Sequence, residues 1–67
     1  MPVVDVSMLA GREPEVVRGL IARLHDAVVE ALDVPPEIVK VLVREVPPEH
    51  WGSGGVTIAE RRAAADG

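Results

Sequence analysis

The residue with the clearest chemical potential in this chain is Pro2, which follows Met1 and directly precedes an apolar run. Methionine aminopeptidases usually remove Met1 before a small residue such as proline, and the product is a secondary amine at the chain terminus. A terminal amine has a reference pKa of about 7.7 to 8.0, and apolar or cationic neighbours lower that pKa. A neutral Pro2 amine at cellular pH is therefore reasonable, and Pro2 is a candidate general base.

Other side chains offer weaker chemical patterns. Ser7, Ser53 and Thr57 have no arrangement that suggests a nucleophile with a supporting base. The two histidines are far apart and there is no cysteine, so we expect no metal site, and we expect no cofactor. The glycine-rich segment 52–55 lacks the lysine and the strand-to-helix setting of a phosphate-binding loop, and it is typical of a hairpin turn.

The elements that must position Pro2 follow a strand, helix, strand order. β-Branched residues alternate with polar ones over residues 2–9, which predicts a strand. Apolar residues recur at helical spacing over about 14–32, which predicts an amphipathic helix of about five turns. Residues 39–46 are rich in Val and Leu and predict a second strand. Together these elements predict a right-handed parallel β-α-β unit of the α/β (α+β) class.

The last third of the chain predicts little regular structure. Residues 49–55 are expected to form a loop or tight turn, and residues 56–58 to add one short strand. The polar, Ala-rich tail 59–67 is expected to fray or to pack on a neighbouring subunit. No internal repeat or interdomain linker is visible, so residues 1–67 are interpreted as a single domain.

Size and composition favour self-association. Hydrophobic residues make up 48% of the 67 residues, with Trp51 as the one aromatic side chain. Two parallel strands covered by one helix leave one sheet face bare and two edges open. Because no cysteine is available to staple so small a chain, another copy is the natural cover for this surface.

Charge and hydropathy argue against two classes of partner. The formal net charge is -4, and the seven Lys and Arg residues are scattered without a basic run, which argues against nucleic acid. No segment approaches the roughly 20 apolar residues of a membrane span, and the first residues lack the basic region of a signal peptide. We therefore expect a cytoplasmic protein without a membrane partner.

Several residues together resemble the 4-oxalocrotonate tautomerase family in type and spacing, from Pro2 to about Ile58. They are Pro2, Gly11-Arg12, Leu32-Asp33, Pro35, Glu45 and the segment His50-Trp51-Gly52-Ser53-Gly54-Gly55. The resemblance implies a β-α-β subunit with a C-terminal hairpin that forms a four-stranded sheet in a dimer, and then a trimer of dimers. It also implies an isomerase that moves a proton between carbons of a small unsaturated 2-oxo acid through a dienol, as a homohexamer.

The resemblance assigns roles to four residues. Pro2 would shuttle the proton, Arg12 from a neighbouring subunit would bind a substrate carboxylate, and Trp51 would wall an apolar pocket. Lys40 stands where the family commonly has a second arginine, which holds the carboxylate and 2-oxo group of the substrate. Lysine keeps the positive charge but loses the planar, bidentate fork. Arg44 lies on the same strand face, roughly 13 Å further along, and would suit a longer substrate.

Alternative interpretations stay open at this point. The same amine would also serve a hydrolytic or dehalogenating reaction on an unsaturated acid, or the chain would be a non-catalytic oligomeric subunit with a vestigial pocket. Lys40 would also suit the guarding of an exposed strand edge. Three arginines are interpreted as solvated or interface charges, and both histidines are expected to face solvent: Arg44, Arg61, Arg62, His25 and His50.

Overall fold

Two parallel strands and one long helix form the main part of the fold, in a computed structural model that describes residues 1–66. The strands are β1 (Val3–Leu9) and β2 (Lys40–Val46), and the helix between them is α1 (Pro14–Leu32). The two strands pair in parallel over all seven residues of each. The predicted β-α-β order is thus confirmed, and each strand begins one residue later than the sequence pattern predicted.

Local chemistry sets both ends of α1. Pro14 occupies its first turn, where the fixed φ of proline suits a helix and no backbone donor is needed. The helix ends at Leu32 because Asp33 adopts a left-handed conformation with φ 52°. In that conformation the Asp33 N–H donates to the Val29 carbonyl oxygen at 2.9 Å, which satisfies one of the last helical carbonyls.

A hairpin follows β2. After a one-turn 3-10 helix over Pro48–His50, β3 (Gly52–Ser53) pairs antiparallel with β4 (Val56–Thr57). Gly54 and Gly55 link the two strands with φ values of 64° and 84°. Such a two-residue turn needs positive φ at both positions, which glycine adopts without steric cost. The predicted hairpin turn is therefore confirmed.

The tail beyond the hairpin forms a second helix, α2 (Ile58–Asp66), which the sequence reasoning did not predict. Its start is fixed by a reciprocal cap: the Glu60 N–H donates to the Thr57 hydroxyl oxygen at 3.1 Å. The Thr57 N–H and hydroxyl donate to the Glu60 carboxylate at 3.3 and 3.1 Å. The structure thus gives residues 59–66 a regular helix where the sequence predicted a tail that frays or packs on a neighbouring subunit, and Gly67 lies outside the described residues.

Little of the described chain is buried. Val39, with 8% of its surface exposed, is the one hydrophobic residue in the buried class among residues 1–66. The accessible surface is 4963 Å², against about 4,100 Å² for a compact monomer of this mass. The radius of gyration is 15.8 Å, against about 11 Å for a compact domain of this length. The isolated chain is therefore elongated, 50 by 24 by 14 Å, with much surface left to cover.

The sheet has one covered and one bare face, as predicted. Val4, Val6, Val41 and Val43 alternate toward the helix side and are half-buried. On the opposite face, large apolar side chains remain open to solvent, with Val3 58% and Leu42 44% exposed. Val16 and Leu32 of α1 are also exposed, so the surplus of apolar residues seen in the sequence is shared between the bare sheet face and the helix.

Candidate active site

Pro2 lies where the two parallel strands begin. Its carbonyl oxygen accepts a hydrogen bond from the Lys40 backbone N–H at 3.1 Å, just before Val3 pairs with Lys40. Pro2 is half-buried, whereas Met1 extends into solvent with 86% of its surface exposed. Two of the four predicted site residues, Pro2 and Lys40, are therefore neighbours at the amino end of the sheet.

Arg12 lies at the opposite end of β1. The Ala10 N–H donates to the Val46 carbonyl oxygen at 2.8 Å, so the chain after β1 runs beside the end of β2. Gly11 then turns the chain with φ 125°, a conformation that side chains rarely adopt. A seven-residue strand spans about 23 Å, which separates Arg12 from Pro2 of the same chain.

Trp51 also lies beyond the carboxyl end of the sheet. It follows β2 and the 3-10 turn, and it is half-buried. Its carbonyl oxygen accepts a hydrogen bond from the Ile58 N–H at 2.9 Å, which ties the hairpin to the start of α2. Trp51 and Arg12 therefore share the end of the sheet that is remote from Pro2, and one chain does not bring all four predicted residues together.

A shallow cavity of about 310 Å³ adjoins Arg12. Its lining combines the end of β1 with the C-terminal helix: Leu9, Ala10, Gly11, Arg12 and Arg62. Arg62 was interpreted from the sequence as a solvated or interface charge, and its position beside Arg12 was not foreseen. The signal that would have found it is the Thr-x-x-Glu cap at 57–60, which predicts a helix and fixes where the following side chains point.

Arg44, which the sequence suggested for binding a longer substrate, pairs instead with Asp5. Its Nε and Nη2 atoms donate to the two carboxylate oxygens of Asp5, each at 3.0 Å, across the bare sheet face. This bidentate hydrogen-bonded pair lowers the pKa of the Asp5 carboxyl and raises the pKa of the Arg44 guanidinium. Arg44 thus holds β1 to β2 through side chains as well as backbone.

The helical pattern predicted that His25 faces solvent, but the structure shows it half-buried and in contact with two polar groups. Its Nδ1 lies 3.1 Å from an Asp26 carboxylate oxygen, and its Nε2 lies 2.8 Å from the Pro36 carbonyl oxygen. Both partners accept, so the hydrogen bonds to Asp26 and then to Pro36 raise the pKa of His25. This side chain ties α1 to the 3-10 turn Pro36–Ile38 that leads into β2. His50 is exposed, as predicted.

A second cavity, of about 390 Å³, lies between α1 and the start of β2. Its walls include His25, Val39 and Val41, and none of the four predicted site residues lines it. Within residues 1–66, no group of three or more His, Cys, Asp or Glu side chains is placed to hold a metal ion. Neither helix in that part of the chain has the length and apolar character needed to cross a membrane.

The sequence and the fold correspond to a known family. Residues 2–61 match the family described as Tautomerase enzyme. The chain belongs to this family. It is 38% identical over 60 residues to the 2-hydroxymuconate tautomerase of Comamonas testosteroni, covering 90% of this chain and 95% of the relative. It is thus a tautomerase, an enzyme of the isomerase class similar to 4-oxalocrotonate tautomerase, as the sequence resemblance implied.

Solved structures of this tautomerase family share the fold. TomN, a 4-oxalocrotonate tautomerase homologue of the tomaymycin biosynthetic pathway, is 47% identical with a TM-score of 0.88, covering 92% of this chain and 95% of TomN. A heterohexameric 4-oxalocrotonate tautomerase from Chloroflexus aurantiacus is 40% identical with a TM-score of 0.83, covering 90% of this chain and 97% of that one. The implied β-α-β subunit with a C-terminal hairpin is confirmed.

Proposed function

We propose that this tautomerase interconverts the enol and keto forms of a small unsaturated 2-oxo acid, with the Pro2 amine as the base once Met1 has been removed. The observation that carries the proposal is the position of Pro2 beside Lys40 at the amino end of the sheet, with 3.1 Å between the Pro2 carbonyl oxygen and the Lys40 backbone nitrogen. The similarity to a 2-hydroxymuconate tautomerase supports a 2-hydroxydienoate as the substrate class.

The proposed proton transfer needs no reactant besides the substrate. The neutral Pro2 nitrogen takes the proton of the 2-hydroxyl group, and the electron pair of that O–H bond forms the C2 carbonyl. The double bonds shift along the carbon skeleton of the substrate, and a carbon of the former diene takes the proton back from the Pro2 ammonium. Lys40 supplies a positive charge for the oxygen on which negative charge develops, and such stabilisation lowers the barrier.

We further propose that the complete site is built by more than one copy of the chain. Arg12 and Trp51 lie at the far end of β1 from Pro2, so another copy must deliver them, with Arg12 holding a substrate carboxylate and Trp51 closing an apolar wall. The large accessible surface and the bare sheet face support a homohexamer, formed as a trimer of dimers. In this proposal residues 1–67 act as one domain, and the 59–67 segment contacts a neighbouring copy.

The test compares two forms of the protein that differ only at the N-terminus. One has Met1 removed, verified by intact mass, and the other keeps an N-terminal extension that leaves the Pro2 nitrogen in an amide. Ultraviolet absorbance then follows the conversion of 2-hydroxymuconate. The processed form should react faster as the pH rises and the amine loses its proton, and blocking should lower the rate at least 10²-fold, because a general base contributes about 10² to 10⁴.

Two outcomes would contradict the proposal. If the blocked form reacts as fast as the processed form, Pro2 is not the base. If the processed form converts 2-hydroxymuconate and shorter 2-hydroxydienoates no faster than the uncatalysed reaction does, the proposed substrate class is wrong.

A further inference from the structure

The hydrogen bond between His25 and the Pro36 carbonyl joins α1 to the end of the sheet where Pro2 lies. We propose that His25 is a positioning residue for the tautomerase reaction: by holding the 3-10 turn before β2 against α1, it fixes Lys40 beside Pro2. This inference rests on the roles proposed above for Pro2 and Lys40. It adds a residue that acts through the backbone rather than on the substrate.

The chain between α1 and β2 has little backbone hydrogen bonding of its own. Pro35 and Pro36 have no N–H donor, and the 3-10 helix that follows is a single turn of three residues. The Ile38 N–H donates to the Pro35 carbonyl oxygen at 3.3 Å, beyond the usual length of such a bond. The turn therefore needs a further contact to hold the start of β2 in one place.

His25 supplies that contact. Its Nε2 donates to the Pro36 carbonyl oxygen at 2.8 Å, whereas the Val39 N–H reaches the same oxygen at 3.3 Å. A carbonyl oxygen only accepts, so the short contact places a proton on Nε2. Within residues 1–66, it is the one side-chain hydrogen bond that joins this turn to α1.

The surroundings of His25 favour its donating form. Its Nδ1 lies 3.1 Å from a carboxylate oxygen of Asp26, so both ring nitrogens face acceptors. The imidazolium donates to both, and the hydrogen bonds to Asp26 and then to the Pro36 carbonyl raise the pKa of His25. Arg18 and Asp26 of α1 are the other charged groups that line the cavity beside His25, since the wall from β2 is apolar.

The anchored turn leads directly into the proposed site. Val39, which follows the turn, is buried with 8% of its surface exposed, and the next N–H, that of Lys40, donates to the Pro2 carbonyl oxygen at 3.1 Å. Because successive residues of a strand point to opposite faces, seating Val39 on the helix side directs Lys40 to the bare face. His25 thus acts on the residue pair that the proposed reaction uses.

The first experiment measures turnover of 2-hydroxymuconate by the processed protein. His25→Leu removes the donor, so kcat should fall about 10-fold, the low end for a hydrogen bond from a charged group because His25 is only half-buried. KM should stay within about twofold, because Lys40 acts on charge that develops in the transition state. His25→Gln keeps an N–H donor and should recover kcat to within about threefold of wild type.

A double-mutant cycle tests whether His25 acts through Lys40. In a Lys40→Met background, His25→Leu should lower kcat less than twofold, because the charge that His25 positions is already absent. A role in general stability would lower kcat equally in both backgrounds.

Arg18→Leu is the matched control. It introduces the same side chain on α1, in the wall of the same cavity, at a residue that makes no hydrogen bond to the turn within residues 1–66. This variant should keep the wild-type kcat. Sedimentation at the assay concentration and circular dichroism on each variant check assembly and helix content.

Amide hydrogen exchange measures the same contact without catalysis. In His25→Leu the Lys40 amide should exchange about 10-fold faster, because its hydrogen bond to the Pro2 carbonyl opens more often. The Arg44 amide, further along β2, should exchange as in the wild type.

Four results in the turnover assays would overturn the inference: a kcat within twofold of wild type in His25→Leu, an equal fall in the Lys40→Met background, an equal fall in Arg18→Leu, or no recovery in His25→Gln. If the wild type does not convert 2-hydroxymuconate, the proposed function fails and the Lys40 amide decides the inference. Faster exchange in His25→Leu then supports the positioning contact, and unchanged exchange overturns it.

Discussion

The separation of Pro2 and Arg12 along β1 leads to a quantitative prediction about mixed oligomers. In the proposed mechanism, a variant with Pro2 blocked by an N-terminal extension lacks the base, and Arg12→Ala lacks the group that holds the substrate carboxylate, so each variant should be nearly inactive alone. Because about 23 Å of strand separates the two positions in one chain, we expect each site to combine Pro2 of one copy with Arg12 of another. Mixing the two inactive variants should therefore restore activity.

The expected recovery follows from random assembly. In an equimolar mixture, half of the chains carry an intact Pro2 and the other half an intact Arg12. A site that draws on two different copies is then complete in about a quarter of cases, so mixed oligomers should reach about 25% of wild-type activity per site. The assay is 2-hydroxymuconate turnover after joint refolding of the two variants, with separate refolding as the baseline.

A reciprocal mixture provides the control. Wild-type chains mixed with equal amounts of a chain carrying both defects should also retain about 25% of activity if sites are shared, but about 50% if each chain builds its own site. The shared-site reasoning would be refuted by two results together. The jointly refolded variants would be no more active than the separately refolded ones, and the mixture of wild-type and doubly defective chains would keep about half of the activity.

Three further predictions concern single residues. Lys40→Arg should raise kcat/KM toward a 2-oxo acid, about 10-fold if the guanidinium restores a bidentate contact; a fall in steady-state assays would indicate a reshaped pocket. Thr57→Ala should remove the hydroxyl that accepts the Glu60 N–H and weaken α2 by about 1 kcal/mol, and unchanged amide hydrogen exchange across α2 would contradict this. His25 has a raised pKa when folded, so its contribution to stability is complete below about pH 6.5 and is lost as pH rises through the folded pKa. Urea unfolding at fixed chain concentration should show this pH dependence weakened in His25→Gln.

The sequence predicted the elements whose hydrophobic period is strong. The alternation in 2–9 and the helical spacing in 14–32 reflect burial on one face, and both elements appear with ends shifted by one residue at most. The turn at Gly54-Gly55 was predictable because the backbone conformation demands glycine there. The placement of Pro2 beside Lys40 then follows from parallel pairing of the two strands.

Features that depend on polar side-chain contacts were harder to predict. The tail 59–66 has no apolar period, and its helix is set by the Thr57–Glu60 cap, a short motif that composition alone hides. The contact between His25 and the Pro36 carbonyl joins residues of two different elements, so a helical wheel assigns His25 to solvent. Arg62 reaches the Arg12 cavity only because α2 exists, so missing the helix also meant missing the residue.

Because few residues are buried, we expect the stability of this tautomerase to depend on its own concentration. Val39 is the one buried hydrophobic side chain among residues 1–66, so in the proposed assembly the free energy that holds the fold comes largely from contacts between copies. Dilution then acts as a denaturant, and the unfolding temperature should rise with the amount of protein in the sample. Because the proposed active site spans copies, catalytic competence and folding would be lost together on dilution, without an intact but inactive monomer between them.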